Sequence, residues 1–88
     1  MSYFSDLLTS FSRQAGINSP QIARYCGLDR VTVYRFMKGK TLPKDKQTVY
    51  RMAEILQLTD DEREALMESY ECMRLGFRTY RERMVLIY

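Results

Sequence analysis

The stretch Asn18–Pro43, NSPQIARYCGLDRVTVYRFMKGKTLP, decides how this chain folds. It reads as two short helices, a tight turn between them, and a basic loop closed by a proline. The first helix is predicted over Ser19–Cys26. Asn18, or Ser19 with Pro20 at the first helical position, supplies an acceptor for the free amides at its start. Glycine accepts the left-handed backbone that a sharp reversal needs, so Gly27 is placed at the stop. Asp29 is then predicted as the N-cap of a second helix, Arg30–Met37, ending at Gly39. Leu28, Val33 and Phe36 share one side of this pair and are predicted to pack against Ile22 and Ala23. Arg30, Val31, Thr32, Tyr34 and Arg35 are left facing outward.

Ala23, Gly27 four residues later, Val33 six later and Phe36 three after that match the spacing of a helix-turn-helix. The wider context is Ile22-Ala23, then Gly27-Leu28-Asp29-Arg30, then Gly39-Lys40-Thr41-Leu42-Pro43. Together these resemble the lambda-repressor and Cro-like family, also called the XRE family. The resemblance spans roughly Leu7 to Leu58. It departs from the family pattern at Met37, where an acidic residue is common, and at Ser19-Pro20, where a glutamine is usual. It implies an all-α domain of four to five short helices that binds double-stranded DNA. It also implies a bacterial or phage transcriptional regulator, foremost a repressor, working as a homodimer on palindromic sites.

In that family the recognition helix offers base edges its first two residues and one a turn later. Carried onto this chain, those are Arg30, Val31 and Arg35. An arginine can donate two hydrogen bonds to guanine, and Val31 can meet a thymine methyl. Thr32 and Tyr34 stand at the margin of this base-contacting set. Lys38, Lys40, Lys44 and Lys46 are predicted to contact phosphate by charge. Thr41, Ser19 and Gln21 join them, beside the backbone amides of the loop and of the first motif helix. Blander readings stay open: Arg30 held by Asp29, Tyr34 partly in the core, and Gln21 capping its own helix.

Charge supports the DNA-binding reading. The 88 residues carry a net charge of +3, which conceals an asymmetry. Arg30, Arg35, Lys38, Lys40, Lys44 and Lys46 face only Asp45, a local +5, whereas Asp60, Asp61, Glu62, Glu64 and Glu68 face only Arg63, a local −4. A charge run is usually just a solvated face. Here the basic block coincides with the outer side of the motif and the loop that follows. Four further arginines lie between Arg74 and Arg83, against Glu82.

Hydrophobic content of 45% suits one small domain with a core. There is no long apolar run for a membrane span, and MSYFSDLLTSF lacks the basic start of a secretory signal. Cys26 and Cys72 form no C-x-x-C and there is no histidine, so no metal site and no cofactor are expected. Cys26 is expected to be a buried small hydrophobe, and the compartment the cytoplasm. No histidine, no nucleophile elbow and no P-loop argue against an enzyme.

Outside the motif, residues 3–15 are predicted as a first helix, with Tyr3, Phe4, Leu7, Leu8 and Phe11 at near-helical spacing and Gly16 at its end. A further helix over 45–57 places Val49, Met52, Ala53 and Leu56 on one face. Thr59-Asp60-Asp61-Glu62 is a capping box that opens a fifth. The domain is predicted over residues 1–71, with residues 72–88 a helical extension. Leu66, Tyr70, Met73, Phe77, Tyr80, Met84 and Ile87 recur at spacings of 4 and 3 in turn, an apolar seam that extends the C-terminal helix. The seam either dimerises or packs on its own domain, or it begins a further domain of a longer protein. Gly76 suggests a break within it. The runner-up reading of function is a protein-interaction module, such as an antitoxin or the N-terminal domain of a larger regulator, with an additional protein partner on the C-terminal helix.

Overall fold

A computed structural model describes the backbone from Tyr3 to Ile87 and the side chains from Tyr3 to Leu75. All regular structure among these residues is helical: α1 Tyr3–Ala15, α2 Ser19–Cys26, α3 Arg30–Met37, α4 Lys46–Ile55 and α5 Asp60–Ile87. The predicted elements are all present, with α4 shorter by one or two residues at each end. Residues 60–87 form one helix, without the break that Gly76 suggested.

Helices of eight to ten residues do not hold in water alone, so their ends and their packing decide them. Asn18 caps α2: its Oδ1 accepts from the Gln21 amide at 3.0 Å, and its own amide donates to Gln21 Oε1 at 2.8 Å. Thr59 and Glu62 exchange the same pair of bonds at the start of α5. Asp45 caps α4, accepting from the Thr48 amide and hydroxyl, both at 3.0 Å. Asp29 occupies the predicted N-cap position of α3, but its carboxylate makes no capping bond.

The first four helices end alike. At the turn after α2, Gly27 is left-handed (φ 69°) and the Leu28 amide reaches back to the Ala23 carbonyl at 2.8 Å. This is the Schellman closure, with two backward bonds around one left-handed residue. Gly16 and Gly39 hold the same place after α1 and α3. After α4 the place is taken by Gln57 (φ 53°), with Leu58 bonding Ala53 at 3.1 Å.

One core joins the five helices: Phe4, Leu8 and Phe11 of α1, Ile22 and Cys26 of α2, Val33 and Phe36 of α3, Val49 and Met52 of α4, Leu66 and Tyr70 of α5. Burying each large member is worth about 1.5–3 kcal/mol. α1 packs on α3 and α5, and α2 sits between α3 and α4. α5 rests on α1 and α4. The apolar seam therefore begins in the domain's own core, because Leu66 and Tyr70 are fully buried there. Met73 is exposed, and Phe77, Tyr80, Met84 and Ile87 lie outside the described side chains.

Candidate nucleic-acid interface

Two short helices, a left-handed turn and a loop build this surface. Val33 and Phe36, three residues apart, are buried, and they seat α3 against the core. Helical geometry then turns Arg30, Val31, Tyr34 and Arg35 outward, and all four are exposed. Val31 keeps 54% of its surface and Tyr34 52%, so the alternative of a core Tyr34 does not hold. Thr32 is half-buried at the flank.

Among the described residues neither Arg30 nor Arg35 has an ion-pair partner; Asp29 does not hold Arg30. Lys38 Nζ lies 5.4 Å from the centroid of the Tyr34 ring, a cation–π contact that draws the ammonium toward the outer face of α3. Lys40, Thr41 and Lys44 are exposed along the loop, while Pro43 between them is buried. Arg35, Thr32, Thr41 and Lys44 line one cleft of about 570 Å³ between α3 and the start of α4. Part of the base-reading set and part of the phosphate set thus share a wall.

Of the remaining predicted residues, Gln21 and Lys46 are engaged locally. Gln21 is used by the cap of α2, and Ser19 is half-buried at that helix start. Lys46 is paired: its Nζ lies 2.7 Å from Glu71 Oε1 of α5. That hydrogen bond and charge hold the Lys46 ammonium above the usual lysine range. Hydrogen bonds from Thr48 hold the Asp45 carboxyl below the usual range. This charged Asp45 stands at the N-terminus of α4 and already serves its free amides.

The Schellman turn at Gly27 and the buried Val33–Phe36 pair supply the geometry, and comparison supplies the family. The sequence profile described as a helix-turn-helix domain matches residues 4–66. This chain belongs to the helix-turn-helix domain family. No curated protein and no solved structure matches it. The match covers the helix-turn-helix proper, α2 and α3, together with α1, α4 and the start of α5.

Two contacts around the helix-turn-helix escape sequence reasoning. Tyr70 Oη donates to the Pro43 carbonyl at 2.8 Å, 27 residues away. Tyr25 Oη donates to Glu54 Oε2 at 2.8 Å, bracing α2 against α4, and this raises the Tyr25 phenol above its usual range. No residue type or spacing announces either bond. Among the described residues no group of side chains could hold a metal ion. No described helix is long and apolar enough to cross a membrane.

Proposed function

We propose that this chain binds double-stranded DNA sequence-specifically, with α3 in the major groove, and regulates transcription as a repressor of the lambda-repressor/Cro-like (XRE) type. One observation carries the reading: α3 is fastened by Val33 and Phe36 while its outer face offers Arg30, Val31 and Arg35, both arginines free of acidic partners among the described residues. A guanidinium held by no carboxylate keeps its donors for base acceptors, and a neighbouring exposed valine suits a thymine methyl. Lys38, Lys40 and Lys44 supply charge beside it, with Thr41, Ser19 and Gln21 as further backbone contacts. The helix-turn-helix family favours DNA as the partner.

In this reading the protein acts as a homodimer, is not an enzyme and needs no cofactor. Cys26 and Cys72 are free thiols, which suits a reducing compartment, and the cytoplasm is the proposed location. The test is selection of bound duplexes from a randomised pool at near-physiological salt. The expected result is an enriched palindrome with half-sites about one helical turn apart. An enriched single half-site would keep the DNA reading and remove the dimer. No enrichment, with no salt-sensitive binding, would sink the proposal in favour of a protein-interaction module.

A further inference from the structure

We propose that Tyr70, on α5, is a positioning residue for the loop that faces DNA. This inference rests on the DNA-binding reading and adds a residue far from the recognition helix in sequence. Tyr70 is fully buried and is the largest such side chain in the domain. Its ring meets Phe4 of α1 edge-on, with centroids 5.8 Å apart and planes at 60°, which fixes where the hydroxyl sits. From there the hydroxyl donates to the Pro43 carbonyl at 2.8 Å.

The loop has little else to hold it. Its start is closed by the Lys40 amide on Arg35 and its end by the Asp45 cap of α4. Between Thr41 and Lys44, among the described residues, the Tyr70 bond is the one hydrogen bond to the backbone. Pro43 has no amide to donate, so its carbonyl is the group through which that residue can be tethered. Leu42 and Pro43 face inward, and Lys40, Thr41 and Lys44 face outward on either side of the tether. The tether therefore sets where Lys44 stands relative to Arg35 across their shared cleft. A lysine on a wandering loop must be ordered when it meets phosphate, and that ordering opposes binding.

The experiment compares Tyr70→Phe with Ser69→Ala. Tyr70→Phe removes one oxygen and keeps the ring against Phe4. Ser69→Ala removes the neighbouring buried hydroxyl, whose hydrogen bond goes to the Leu66 carbonyl within α5. Thermal unfolding first sets a temperature at which both variants are folded. Backbone 15N relaxation order parameters then read loop order in the free proteins, and binding is measured on the selected site and on random duplex.

In Tyr70→Phe the order parameters of the Thr41, Leu42 and Lys44 amides are expected to fall. Both duplexes should be bound roughly two- to tenfold more weakly, the range one hydrogen bond spans. The ratio between the two duplexes should stay unchanged. Ser69→Ala should match the wild type in both measurements. Unchanged loop order parameters in Tyr70→Phe overturn the inference, and so does an equal loss of binding in both variants, which would be general destabilisation. Wild-type protein that binds no duplex overturns the DNA reading and the positioning role with it. That outcome is distinct, because the unmutated protein is then the sample that fails.

Discussion

Base reading and backbone attraction separate at single residues. Arg35 stands exposed on α3 with no carboxylate beside it, so Arg35→Ala removes donors and disturbs no packing. It is expected to weaken the selected site by about 1–3 kcal/mol and to relax preference at one base position. Lys40→Ala should weaken all duplexes about equally and lower the salt slope of binding by about one. Titrating binding against salt on both duplexes checks the pair, and a sequence-dependent loss at Lys40 would overturn this division. Legibility also varies residue by residue. Gly16, Gly27 and Gly39 mark helix ends in the sequence because glycine alone adopts φ near 70° without strain. Gln57 does the same work at φ 53° and carries no such mark, so the predicted helix over 45–57 overran its end. A non-glycine residue there is strained by about 1–2 kcal/mol, partly offset by glycine's freedom in the unfolded chain. Gln57→Gly is therefore expected to stabilise the domain by about 0.5–1 kcal/mol, read as a higher urea midpoint at unchanged slope.

Among the elements, α3 and α4 were legible as helices, but their connection to α5 was not. A period of 3.6 shows which face of a helix is apolar; it does not say which element covers that face. In sequence Leu66 and Tyr70 suit a dimer seam and packing on their own domain equally, and the structure places both in the domain's own core. That placement brings the next residue, Glu71, onto Lys46 at the start of α4. Lys46 was expected to contact phosphate, and in the free protein a carboxylate holds it. Both partners are about half exposed, so the pair adds little to stability. For DNA it matters more, because a phosphate must compete with Glu71 for the same ammonium. Glu71→Gln should leave the unfolding midpoint nearly unchanged, tighten binding at low salt and steepen the salt slope by about one. Binding isotherms at several salt concentrations would show it. An unchanged slope would mean that Lys46 does not reach the DNA backbone.

For the whole molecule, the described core and the family match bear on where the folding unit ends. The core includes residues from Phe4 to Tyr70, and every helix from α1 to α5 contributes to it. Beyond Tyr70 the described side chains turn outward in character: Met73 and Leu75 are 36% and 47% exposed. The family match stops at residue 66, close to that limit. Burial of the apolar members supplies the stabilisation of so small a domain, and among the described residues α5 contributes Leu66 and Tyr70 to it. A chain ending at Leu75 keeps those residues, the capping box at Thr59 and the Tyr70 bond to the loop. If the folding unit ends with that core, it unfolds at the same urea midpoint as the 88-residue chain. DNA provides the second half of the test. If residues 76–88 pair two copies, the shortened chain should bind a single half-site as tightly as before but lose the extra affinity for the palindrome. A lower midpoint would place the C-terminal residues in the folding unit. An undiminished preference for the palindrome would move the dimer contact onto the five-helix body.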